Sequence, residues 1–164
     1  MTSAQATEKM SGHLAWGVKT SFLAYLQGLE DLQITTNDGV RVNETGDLFT
    51  FPFAASTELS DGRRRLEFDG DLRLKAHGGM LLVIFMKPWL EITPDGAELS
   101  VVDLMAWPDT SRREVIAVST EEYRFAESSD FEIPMQLTAA GVETFNNVYP
   151  PGAALAPAVV RNIG

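Results

Sequence analysis

The stretch Leu66–Met86, LEFDGDLRLKAHGGMLLVIFM, decides the fold. Leu66, Phe68, Leu72 and Leu74 fall on one face, and Glu67, Asp69, Asp71, Arg73 and Lys75 on the other. Alternation with period two predicts a single half-buried strand over 66–75. Strict alternation carries His77 to the charged face, but Gly78-Gly79 follows at once, and a turn or bulge there re-aims the imidazole. Met80–Met86 is continuously apolar and reads as a strand buried on both faces or paired centrally.

Strand spacing continues on both sides. Trp89–Ile92, Leu99–Leu104 and Val115–Val118 follow, punctuated by Pro88, by Pro94-Asp95-Gly96 and by the polar connection Trp107–Arg113. Upstream, Leu32-Gln33-Ile34 and Val40-Arg41-Val42 flank Asn37-Asp38-Gly39, which predicts a hairpin. Glu44–Asp47 gives another turn. Leu48–Phe53 is aromatic-rich, and Pro52 deletes one ladder donor, which predicts an edge strand or a bulge. Residues 57–65 read as an exposed loop. Its Arg63-Arg64-Arg65 run is either a solvated turn or a binding site for carboxylates. Tyr123 and Phe125 alternate between acidic and Ser-rich flanks over Glu121–Ser129. Leu137–Phe145 reads as a helix with Thr138 as N-cap. Tyr149-Pro150-Pro151-Gly152 is a rigid turn before a last strand at Ala158–Val160.

At the other end, Gly12–Gly28 (GHLAWGVKTSFLAYLQG) reads as a helix closed by Gly28. Val18, Phe22, Tyr25, Leu26 and Leu29 form its apolar stripe. Ser21 and Tyr25, four apart, interrupt that stripe with hydroxyls. A buried hydroxyl needs a partner, because leaving it unpaired costs about 1–3 kcal/mol. A tyrosine bonded to backbone satisfies this, and so does a ligand. The expected architecture is therefore mainly β: one strand-rich domain over 1–164 with its core at 12–160, a β-sandwich or twisted sheets. It carries an N-terminal helix and a second short helix near the C-terminus.

Composition narrows the function. The 164 residues carry a formal net charge of -10, so phosphate-rich partners are disfavoured and nucleic acid is not expected. Cysteine is absent, which removes disulfides, thiolate ligation, Fe–S clusters and cysteine nucleophiles. There is no GxGxxG after a strand, no P-loop, no HExxH and no GxSxG elbow. MTSAQATEKM lacks the apolar core of a signal peptide, and the seven-residue run Met80–Met86 is too short to span a bilayer. As written, the chain reads as soluble and cytoplasmic.

Three segments, WGVKTSFLAY (16–25), LEFDGDLRLKAHGGMLLVIFMKPWLEI (66–92) and LTAAGVETFNNVYPPGAALAPAVV (137–160), resemble in order the HtaA domain. That domain is the haem-binding module of corynebacterial haem-uptake proteins, typically secreted or surface-anchored. The resemblance implies ferric protohaem as cofactor, with Tyr25 matching the tyrosine that ligates the iron. It also implies His77 as the histidine bonded to that tyrosine, Ser21 as a polar contact near a propionate, and Phe22 beside them. The chemistry is coherent: tyrosine is a known haem ligand. Forming a phenolate at neutral pH moves a pKa near 10 by about three units, roughly 4 kcal/mol. Ferric charge and a donating histidine both favour that change. The implied role is haem binding, transfer or storage, with a haem-exchange protein as partner.

Two other readings stand beside it. A diverged module without haem would assemble as a homo-oligomer, pairing strands such as Leu48–Phe53 across a dimer. Catalysis ranks last, because O–O cleavage wants a placed distal acid–base group. His13, the remaining histidine, lies roughly 18 Å from Tyr25 if the intervening residues are helical.

Overall fold

A computed structural model describes residues 12–120 and 130–161 of the chain. The expected strand content is present, and the described strands fall into two sheets. The larger closes on itself. β1 (His13–Trp16) pairs with both β12 (Ala154–Arg161) and β4 (Phe49–Glu58). The ring is completed by β11 (Phe131–Leu137), β10 (Arg113–Ser119), β9 (Gly96–Val102), β8 (Trp89–Thr93) and β5 (Arg64–Phe68). The two-residue β3 (Arg41–Val42) hangs from β4. The architecture is thus an eight-stranded antiparallel barrel rather than a sandwich, a closure that leaves the ring without edges. The second sheet is β2 (Gln33–Asn37), β6 (Asp71–Ala76) and β7 (Leu81–Met86), with β6 central.

Several expectations change with this topology. The strand expected over 66–75 is two strands, β5 in the barrel and β6 in the small sheet. The chain changes sheets at Gly70, whose φ of +126° only glycine holds easily. A Cβ there would come within 2.3 Å of Val40 Cγ2. The Asn37–Gly39 turn forms, with Asp38 and Gly39 both at positive φ, but it makes no hairpin. β2 pairs with β6, while β3 pairs with β4. β4 is interior, with β1 along one side and β3 and then β5 along the other. Leu48–Phe53 therefore offers no free edge for a dimer. The bulge falls after Pro52, where the register shifts between Phe53 and Ala55. β7 is an edge strand of the small sheet, with Leu81, Val83 and Phe85 buried on one face and Leu82 45% exposed on the other.

The N-terminal segment splits as well. His13–Trp16 is the strand that closes the barrel, and helix α1 covers Thr20–Gln27 alone. Val18, at φ +58°, lies between the two. Leu137 ends β11, and the expected helix is a single turn, α2 (Gly141–Thr144), whose N-cap is Ala140; Thr138 stands two residues earlier and accepts from Gly141 N at 2.9 Å. The 121–129 alternation lies outside the described residues. No described helix is long and apolar enough to cross a membrane.

Aromatic rings join the layers. Trp16 meets Phe85 edge-on at 5.1 Å, Phe85 meets Phe145 at 5.5 Å, and Phe145 meets Phe22 at 5.9 Å. This chain of contacts fixes α1 and the small sheet against the barrel, since each aromatic contact adds to the burial of large apolar surface.

Candidate functional site

Helix α1 buries Phe22, Leu23 and Leu26. Its opposite face is exposed and carries Ser21, Ala24, Tyr25 and Gly28, spaced i, i+3, i+4 and i+7. Tyr25 is therefore on the solvent face, not the apolar stripe, and is 52% exposed. Val18 precedes the helix, so the buried stripe of α1 begins at Phe22. Gly28 ends α1 with right-handed geometry, its N–H donating to Tyr25 O at 3.2 Å. Small neighbours leave the phenol standing above a low surface.

His77 opens the turn between β6 and β7. His77, Gly78 and Gly79 all have positive φ, at 54°, 64° and 95°. This left-handed run breaks the strand alternation and turns the imidazole toward α1. His77 Nε2 lies 2.7 Å from the Tyr25 hydroxyl oxygen, a full hydrogen bond. With the ring proton on Nδ1, Nε2 accepts the phenolic proton; with it on Nε2, the ring donates to a phenolate. Met80, 85% exposed, follows the turn and leaves a thioether beside the pair in sequence.

The turn is tied from a third element. Asp31, in the α1–β2 connection, accepts from Gly78 N at 2.8 Å. That bond, joined by one from the His77 backbone N–H, holds the Asp31 carboxyl below its ordinary pKa. Sequence reading missed Asp31, since no local pattern distinguishes it from other acidic loop residues.

The predicted site residues thus separate. Tyr25 and His77 are brought into contact, and Ser21 sits one turn from Tyr25 on the same exposed face. Phe22 is fully buried against Phe145 and Tyr149 and supports the helix from beneath. His13 pairs in register with Arg161 at the barrel seam, where burial and then the Arg161 charge push its pKa down against Asp130. The Arg63–Arg65 run does bind a carboxylate, but the protein's own: Arg63 and Arg65 grip Glu91 at 3.0 and 3.1 Å. Arg64 reaches Ser56 and Glu58. None of these bonds involves Tyr25 or His77.

The molecule is therefore a β-barrel domain that presents a tyrosine–histidine pair on an exposed helix face. The chain belongs to the HtaA domain family (Htaa), whose model matches residues 11–161. Among solved structures it is similar to both domains of HtaA from Corynebacterium glutamicum. The C-terminal domain matches at a TM-score of 0.74 and 21% identity, covering 92% of this chain and 95% of that one. The N-terminal domain matches at 0.71 and 26%, covering 92% and 96%. The haem-binding protein HtaB of the same organism matches at 0.66 and 21%, covering 90% of each chain. No match emerges among curated proteins.

Proposed function

We propose that this domain binds haem on the exposed face of α1, with Tyr25 as axial ligand to ferric iron. The observation that carries the reading is the Tyr25–His77 hydrogen bond, made by a tyrosine that stays half exposed. Its support is chemical. A phenol paired with an imidazole has a local acceptor for its proton and a local donor for the resulting anion. Ser21, Ala24 and Gly28 leave a low surface around that oxygen, on which a flat ligand can lie. Family membership and the name of HtaB point the same way.

In this reading Tyr25 supplies a hard anionic oxygen, and His77 orients the ring and stabilises the phenolate. Ser21 offers a hydroxyl to a propionate, and Phe22 anchors the helix below. Ferric haem supplies the positive charge that favours the phenolate. Transfer or storage fits an exposed site better than catalysis does, since no described acid–base group other than His77 bonds to Tyr25.

Hemin titration followed by absorbance tests the proposal. The unaltered chain should show a shifted Soret band that saturates at one equivalent. His77→Ala should weaken binding about 10-fold, at the lower end of what outer-shell partners of a metal ligand contribute. No spectral change, or identical titrations for the two proteins, would overturn the assignment.

A further inference from the structure

We propose that Asp31 is a positioning residue for the Tyr25–His77 pair, holding the His77–Gly79 turn in the one backbone form that lets the imidazole reach the phenol. Position 77 needs the left-handed conformation as much as positions 78 and 79 do, yet it is not glycine. A residue with a Cβ is disfavoured there by the clash of that carbon with the backbone. The ring at this position is what bonds to Tyr25, so glycine could not replace it. Something must hold the strained residue, and the next amide along, Gly78 N–H, donates to the Asp31 carboxylate at 2.8 Å.

The placement of Asp31 adds a second argument. Tyr25 comes from α1, and Asp31 lies six residues later, in the connection that leads α1 into β2. His77 comes from the β6–β7 turn. Asp31 therefore ties the segment carrying the phenol directly to the turn carrying the imidazole. The two segments are thus joined twice, once by the Tyr25–His77 side chains and once by this carboxylate on the turn backbone. The alternation of 66–75 would otherwise carry His77 to the outer face of the small sheet, beside Arg73 and Lys75. Asp31 acts on the pair through His77 alone.

The consequence for ligand binding rests on the haem reading above, but the positioning role does not, and the test separates them. Asp31→Ala and Asp31→Asn are made in the unaltered chain and in a His77→Ala background. In the ligand-free protein, the ¹⁵N spectrum of the His77 ring should show one fixed tautomer. Asp31→Ala should collapse it toward the averaged pattern of a free imidazole, and Gly78 amide exchange should speed up about tenfold or more. Asp31→Asn, which keeps an acceptor oxygen, should restore most of the ring signature. With hemin as the probe, Asp31→Ala should weaken binding about 3–10-fold in the unaltered chain and less than about twofold when His77 is already alanine. An unchanged ring spectrum in Asp31→Ala, or an equal hemin loss in both backgrounds, would overturn the proposal. If the unaltered chain takes up no hemin, the haem reading fails, and the ring spectra alone decide the role of Asp31.

Discussion

Two polar clusters stand on this barrel, and they differ in what they leave unbonded. On the β5–β8–β10 face, Arg63 and Arg65 clamp Glu91, and Arg65 and Arg113 lie over Trp89, at 4.5 and 4.1 Å from its ring. Arg113 reaches Ser100 Oγ, Ser100 O, Thr110 O and Lys87 O, while burial pushes its pKa down to about 10. Among the described residues, Arg63 Nε is the only buried side-chain polar atom without a partner. Over α1, by contrast, one hydrogen bond joins Tyr25 to His77 and the phenol stays half exposed. A charge network bonded at every buried side-chain polar atom but Arg63 Nε has little capacity left for a ligand. A sparse pair held by a strained turn keeps that capacity.

Substitutions in the two clusters should therefore move opposite quantities. Tyr25→Ala should weaken hemin binding about 100-fold or more while changing unfolding free energy by less than about 0.5 kcal/mol, as for exposed side chains generally. Gly70→Ala, which forces a Cβ onto Val40 and Phe51 at positive φ, should destabilise by about 3 kcal/mol. Chemical denaturation measures that loss. Arg113→Ala strands the carbonyls of Lys87, Ser100 and Thr110 and should cost about 2 kcal/mol, with hemin affinity within about twofold of the unaltered chain. A hemin loss in Arg113→Ala as large as in Tyr25→Ala would erase the distinction between the clusters.

The sequence carried the strand content because alternation at Leu66, Phe68, Leu72 and Leu74 reports burial whichever sheet holds the strand. It could not report the sheet change at Gly70, because glycine fits an alternating pattern as silently as it fits a corner. The Asn37–Gly39 turn likewise specifies local backbone and not the partner of the strands it joins. β1 was hidden inside an apparent helix because Leu14 and Trp16 suit either period over so short a run. The site was legible in part. Tyr25 and His77 came from resemblance to a family, whereas the periodic reading buried Tyr25 by counting its ring as apolar. Asp31 was invisible because its bonds go to backbone amides 46 and 47 residues away.

Acid provides a milder probe of the sparse cluster. The folded pKa of Asp31 lies below the ordinary 3.8, so its grip on the turn is complete above that value. It is lost as pH falls through the lowered folded pKa. The Asp31 side-chain carboxyl ¹³C shift should hold steady from neutral pH to about 4 and move only below it. Movement centred at or above the ordinary value would contradict the bonding described here.

The central claim is that Tyr25 oxygen is the iron ligand. Resonance Raman spectroscopy of the hemin-loaded protein, excited within a phenolate-to-iron charge-transfer band, observes that bond without reference to affinity. Phenolate ring modes should be enhanced in the unaltered chain and persist, shifted, in His77→Ala. They should vanish in Tyr25→Phe. Their survival in Tyr25→Phe, or their absence from a hemin-loaded unaltered chain, would contradict the account.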